Sequence, residues 1–254
     1  MPNRKNERGF TLVELSIVLV IIGLIVGGVL AGQSLIQSAR LQAEITQFNK
    51  IDTAVNAFYL RNGMLPGDTT NIAPFVTAGI TAGTNTGFIG TGVAADETTY
   101  KGTREANAIA ELEELGLVQG IAVDPSGNGA SSCSPDGGDL LTAKMQGCIT
   151  VYGDTTTQHN WVRYGIAGDA GAGGVATLAP EYTPSQVYQI DVKLDDGFPL
   201  TGIVQGRDST ATVALSAIAL EGALGAGDCA FTAGTHYNQA DTATECGFAI
   251  RLSQ

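Results

Sequence analysis

Three groups of residues in this chain have types and spacings that invite chemistry. The first is Glu14, a lone carboxylate at the head of an apolar run that continues through Leu15-Ser16-Ile17-Val18-Leu19-Val20-Ile21-Ile22 to about Gly32. An acidic side chain inside a membrane helix is disfavoured by roughly 2.5–3.5 kcal/mol and is tolerated when a cation meets it there. The chemistry invited is charge pairing in an apolar medium. The second group is Asp191, Asp195 and Asp196, toward the C-terminal end of a candidate helix. Carboxylates there oppose the helix dipole and need backbone donors, a lysine or a cation. Loop pinning by hydrogen bonds is the expected reading. Calcium, which takes several carboxylate and carbonyl oxygens, is the competing one, and no other cofactor is expected.

The third group is the four cysteines, Cys133, Cys148, Cys229 and Cys246. On the outward side of a membrane they are expected to be oxidised. Three connectivities exist. The simplest pairs neighbours, Cys133 with Cys148 and Cys229 with Cys246, each closing a loop rich in Gly, Ser, Asp and Thr. A zinc-thiolate site is set aside, because no C-x-x-C occurs and the only histidines, His159 and His236, lack ligand spacing from the cysteines. Catalysis finds little support. Gly171-Ala172-Gly173-Gly174-Val175-Ala176 matches a G-x-G-x-x-A phosphate loop on paper, but Pro180 stops a following helix and no βαβ unit surrounds it. No G-x-S-x-G, H-E-x-x-H or Walker sequence is present, the carboxylates read as exposed and unpaired, and no enzyme activity is expected.

The element that must position Glu14 is a helix. From Leu15 to Gly32 it would rise roughly 27 Å, close to a bilayer core of about 30 Å, so it can span a membrane once, over about residues 12–32. Ahead of it stands Met1-Pro2-Asn3-Arg4-Lys5-Asn6-Glu7-Arg8-Gly9, with three basic residues against one acidic. Positive charge beside a membrane helix stays in the cytoplasm, so the C-terminal bulk is expected outside. An ordinary secretory signal is the plain alternative, since Val29-Leu30-Ala31 before Gly32 is an acceptable cleavage site. The apolar run is longer than the roughly 7–15 residues usual for such a signal, and Glu14 lies inside it. A simple membrane anchor leaves Glu14 unexplained.

Gly9-Phe10-Thr11-Leu12-Val13-Glu14 followed by an apolar helix resembles the signal of type IV prepilins and type II secretion pseudopilins. The resemblance covers about residues 8–62. It implies that a prepilin peptidase in the inner membrane removes residues 1–9 by cutting after Gly9, and that the new amino group of Phe10 is methylated. It also implies that Glu14 pairs with the amino-terminal charge of a neighbouring subunit during filament assembly. Cleavage at Gly9 would place such a cation one turn away. Many pilins carry a proline at the place of Ala31; this chain has none, though Gly23, Gly27, Gly28 and Gly32 could loosen the helix.

Beyond the span the helix is expected to continue, because Leu41, Ile45, Phe48, Ile51, Val55 and Phe58 recur at spacings of three and four, with Arg40, Glu44, Lys50 and Asp52 falling mostly off this stripe. Asn62-Gly63 and then Pro66 read as its stop. Residues 63–254 form the head. A short helix is predicted from Arg104 to Leu115, and another after the Thr183-Pro184 cap, with Val187, Ile190 and Leu194 on one face before Gly197. Strands are predicted at Cys148–Tyr152, Trp161–Ala167, Gly202–Val204, Ala211–Leu215 and Phe248–Leu252. Ile190 to Pro199 looks like a recurring motif of larger pilin-like proteins. The major pseudopilins bind calcium near their C-terminus, but nothing here matches that loop residue by residue.

The expected fold is therefore α+β and pilin-like, a long N-terminal helix over residues 10–62 packed on an antiparallel sheet in a disulfide-containing extracytoplasmic head. With 44% hydrophobic and only 15% charged residues, 34 glycines and a net charge of −12, the composition suits a loop-rich extracellular domain. Loss of residues 1–9 leaves 10 basic and 24 acidic side chains, a net of −14. Such a surface repels phosphate backbones, so direct nucleic-acid binding is not expected. The expected function is that of a structural subunit, a minor or atypical type IV pilin judged by head size. Its partners are other copies or other pilin subunits, prepilin peptidase and the inner membrane, and its destination is a surface pilus. A pseudopilin of a periplasmic type II secretion filament shares the N-terminus, and a membrane-tethered binding protein or enzyme that never polymerises is the alternative from another class.

Overall fold

The computed structural model describes residues 12–70, 83–89, 104–118, 141–145, 147–154, 158–166, 182–208, 229–230, 236–244 and 246–254. The chain divides into two compact units, Met1–Gln42 and Ala43–Gln254. One helix, α1 (Leu12–Asn62), runs through 51 residues of both. It stops where the sequence says it should. Gly63 takes a left-handed φ of +72°, and its N–H donates to the Tyr59 carbonyl at 2.7 Å, which closes the last turn without a Cβ penalty.

The described part of the first unit, from Leu12, is helix with its apolar side chains outward. Every Leu, Ile and Val from Leu12 to Ile36 is more than half exposed. The second unit is built on a sheet of five strands: β1 (Leu141–Thr142), β2 (Cys148–Asp154), β3 (His159–Ile166), β4 (Val204–Asp208) and β5 (Cys246–Arg251). Their order is β1-β2-β3-β5-β4, with every neighbouring pair antiparallel. Helix α2 (Arg104–Glu114) packs on β2, and α3 (Pro184–Leu194) on β4 and β5.

Register decides what the sheet offers. Val151 faces Val162, Tyr164 faces Phe248, and Ile250 faces both Val162 and Val204, so these six residues and Ile149 line one surface, and all are buried. The C-terminal part of α1 lies over it, burying Ile45, Phe48, Ile51, Ala54, Val55 and Phe58; each larger side chain contributes roughly 1.5–3 kcal/mol by leaving water. Polar ties fix the helix at the β1 edge of the sheet and at the chain's last residues. Gln47 Nε2 donates to the Thr142 carbonyl at 2.8 Å, and the Ser253 N–H donates to Asp52 Oδ1 at 2.9 Å. On the opposite surface Thr150, Tyr152, Trp161, Arg163 and Ala249 are buried too, with the Arg163 guanidinium 4.6 Å from the centre of the Tyr152 ring.

Some elements depart from expectation. The strand expected at Gly202–Val204 begins where that span ends and runs to Asp208, because Gly202 at φ +75° belongs to a turn that seats the Asp195 carboxylate where a Cβ would stand. The two-residue β1 was not anticipated. Ala211–Leu215 and Ala167 lie outside the described residues.

Glu44 is the larger correction. It is not off the buried stripe but within it, 1% exposed. It stands three residues after Leu41 and four before Phe48, the spacings that share a helix face. Its carboxylate accepts from the backbone N–H groups of Lys144 at 3.4 Å and Met145 at 2.7 Å, in the turn between β1 and β2. Burial outweighs these bonds and the nearby Lys144 charge, and raises its pKa from 4.5 to about 7. The folded protein thus holds this proton to higher pH than the unfolded chain does. The stability tied to Glu44 is complete below about pH 4.5 and declines on the order of 3 kcal/mol by about pH 7. Urea unfolding of the detergent-solubilised chain between pH 5 and 8 should show this decline, and Glu44→Gln should remove it. An identical pH slope in wild type and variant would contradict the assignment.

Candidate processing and assembly site

Gly9 and Phe10 lie outside the described residues. Glu14 sits in the first turn of α1, where the helix dipole favours a carboxylate. Between it and Arg40 the sequence has no ionisable side chain. Ser16 in the next turn returns its hydroxyl hydrogen to the Val13 carbonyl at 2.9 Å, so its polar group is absorbed by the helix. The helix is long and apolar enough to cross a membrane, with a mean hydropathy of 2.7 over its most apolar 18 residues, none of them buried. One carboxylate at the start of a long apolar helix is an arrangement that can receive a cation within an apolar surrounding.

The model of the prokaryotic N-terminal methylation motif matches residues 4–30. The chain carries the prepilin-type signal. That match includes Gly9, Phe10 and Glu14 and ends inside the apolar helix. No curated protein and no solved structure matches the chain. The prepilin-type signal supports a protein of the type IV pilin or pseudopilin class and is consistent with anchoring in the inner membrane by α1.

In the head, Asp191, Asp195 and Asp196 come together, with one oxygen of each lying within 4.8 Å of the others. Helix α3, which carries Asp191 and leads into Asp195 and Asp196, begins at a capping box, Thr183 Oγ1 accepting from the Gln186 N–H and Gln186 Oε1 from the Thr183 N–H. The carboxylates at its other end are met by the chain's own donors. Asp191 accepts from the Gly197 N–H at 3.1 Å and the Tyr237 hydroxyl at 2.7 Å. Asp195 accepts from the N–H groups of Ile203 and Val204, and Asp196 from the Phe198 N–H at 2.9 Å and the Thr201 hydroxyl at 2.6 Å. The three aspartates hold the loop after α3 in place. Desolvation raises the Asp191 pKa to about 6, and burial together with the Asp191 charge pushes the Tyr237 phenol up.

Tyr237 was invisible to sequence reasoning, being 46 residues from Asp191. So were two further buried carboxylates, which correct the expectation of exposed, unpaired acids. Glu111 of α2 accepts from Thr69 Oγ1 at 2.6 Å and the Gly67 N–H at 2.8 Å, and burial raises its pKa. Asp68 gathers the Gly87 N–H at 2.7 Å and the Thr84 N–H at 3.3 Å. Glu111 binds a loop to α2 and Asp68 binds one loop to another, both by accepting backbone donors.

Cys229 and Cys246 stand at disulfide distance, with Cα atoms 5.1 Å apart. Cys148, which opens β2, is also disulfide-bonded, and Cys133 lies outside the described residues. The Cys229–Cys246 link ties the segment bearing Tyr237 to β5, beside the bridge between Tyr182 and Cys246. Non-reducing peptide mapping of the exported protein should recover Cys133–Cys148 and Cys229–Cys246. Replacing Cys229 and Cys246 together by Ser should cost on the order of 2–5 kcal/mol of head stability. Crossed pairs in the map would overturn the pairing.

Proposed function

We propose that the chain is a structural subunit of a type IV pilus filament, a minor or atypical pilin inserted in the inner membrane by α1 and drawn from it into a helical assembly. The observation that carries this reading is a prepilin-type signal continuing into a 51-residue helix whose first unit exposes its apolar side chains on every side. An apolar surface of that size must be covered by lipid or by other copies of itself. Glu14 gives the assembly its register. In lipid the carboxylate is costly, and a methylated amino group on Phe10 of the incoming subunit would be its partner once residues 1–9 are removed. A type II secretion pseudopilin would use the same helix and the same pairing; the 254-residue length favours a minor or atypical subunit, because most major subunits of either system are shorter.

Intact mass or N-terminal sequencing of the mature protein should give methylated Phe10 as its first residue; cleavage after Ala31 instead would sink the proposal. Glu14→Ala and Glu14→Gln should leave membrane insertion and head folding intact, since the helix only becomes more apolar, while the sheared surface fraction falls sharply. Glu14→Asp should be intermediate. Undiminished filaments from Glu14→Ala, expressed without wild type, would mean that packing of the apolar helices suffices.

A further inference from the structure

Where α1 lies over the turn between β1 and β2, three polar side chains are gathered that the assembly reading does not use. Glu44 is buried and accepts from the Lys144 and Met145 N–H groups of that turn. Gln47, three residues on and on the same helix face, donates from Nε2 to the Thr142 carbonyl, while its Oε1 is buried with no hydrogen-bond partner. Tyr164 of β3 is fully buried with its ring stacked on Phe248 at 4.6 Å between centres, and its hydroxyl has no partner either. The charge of Glu44 reaches that phenol, and together with burial it pushes the Tyr164 pKa up. One orphan atom is an acceptor and the other a donor, beside a carboxyl group that can change its protonation.

Each protonation state of Glu44 answers one of the orphans. The neutral group carries a hydroxyl hydrogen that Gln47 Oε1 can accept. Its two oxygens are already unequal, since Oε2 takes the 2.7 Å bond from Met145 while Oε1 stands 3.4 Å from the Lys144 nitrogen and is the better placed to bear the proton. The ionised group has no hydrogen to give and meets Gln47 Oε1 as acceptor against acceptor. It offers the Tyr164 hydroxyl the acceptor it lacks. Among the described residues, the titratable groups coupled to this charge are Lys144 in the turn and Tyr164 on β3; the Lys144 side chain is exposed, as is Arg40 one turn earlier on α1.

The piece of sheet next to this cluster is weakly held. β1 is an edge strand of two residues, paired to β2 through Leu141 with Ile149 and Thr142 with Cys148. The turn is closed by the Ala143 N–H on the Gly147 carbonyl at 2.9 Å, and Glu44 and Gln47 bind it to α1. We propose that Glu44, Gln47 and Tyr164 form a proton switch, in which the neutral Glu44 carboxyl group clamps the β1–β2 turn to α1 and its ionisation lets the turn open while the rest of the sheet stays folded. An ionised carboxylate is costly to keep buried, and the same event strips Gln47 of its donor, so both ties of the turn weaken together. Glu44 holds its proton to about pH 7 when buried and to about pH 4.5 when in water. Opening therefore becomes easier as the pH rises between those values and no easier above them.

Hydrogen exchange of the detergent-solubilised full chain, read at single residues and corrected for intrinsic base catalysis, tests the switch. Protection of the Met145 amide should fall roughly tenfold per pH unit between about pH 5 and 7 and level off above that. The Phe248 and Ile250 amides of β5 should stay far better protected at every pH, because the opening is local. Glu44→Gln keeps an uncharged group of the same shape, so Met145 protection should be equal at pH 5 and pH 8. Tyr164→Phe removes the donor to the ionised form and should move the level-off upward by roughly one pH unit; it loses a single oxygen and carries the test alone if Glu44→Gln does not fold. A Met145 profile shared by wild type and Glu44→Gln, one that matches Ile250 at each pH, or a level-off unmoved in Tyr164→Phe would each overturn the switch.

Discussion

One helix in this chain carries two kinds of surface, and the rest of the structure follows from how α1 divides them. From Leu12 to Ile36 its Leu, Ile and Val side chains are exposed on every side, a surface suited to hydrocarbon, because the polar groups lipid tolerates are those already bonded within the helix. Its later turns carry a single apolar stripe, and the five-stranded sheet is the surface that stripe requires. A sheet with one face committed to a helix needs a fixed register. A slip of one residue would send Val162, Tyr164 and Phe248 to the other side. The ties from Gln47 to Thr142, from Glu44 to Lys144 and Met145, and from Asp52 to Ser253 hold that register against the helix at the β1 end of the sheet and after β5.

What could be read beforehand was what is written locally. Gly63 after Asn62, the Thr183-Pro184 cap, and the three-and-four spacing from Ile45 to Phe58 each depend on residues within a few turns of one another, and each was legible. The strands were legible as apolar stretches, but β4 was misplaced because Gly202 is committed to a turn by the distant demand of Asp195. Glu44 was misjudged for a different reason. Its charge class argued for exposure, while its position between Leu41 and Phe48 argued for burial, and position prevailed because the turn before β2 supplied two donors. The partnership of Asp191 with Tyr237 depends on a segment brought in by Cys229 and Cys246, which no local pattern encodes.

The buried acids share one physical role. Glu44, Glu111, Asp68 and Asp191 each accept backbone N–H groups from a loop. Loops rich in Gly and Thr have little apolar surface with which to hold themselves, and a carboxylate that accepts two or three donors fixes several residues with one side chain. The burial that makes the bonds short also penalises the charge, which is why Glu44, Glu111 and Asp191 all have raised pKa values. A head organised in this way gains rigidity in its loops from acids that sit close to their own neutralisation.

The bond from Ser253 to Asp52 has a mechanical meaning as well. A tensile load reaching Asp52 would pass through that contact to the residues just after β5, which like β2 and β3 is held by hydrogen-bonded ladders on both sides. Load entering an edge strand would be borne by a single ladder, which can peel open one bond at a time. Here two ladders share it, and the far one is braced by α3. One of the ties between α1 and the head is therefore made beside an inner strand of the sheet.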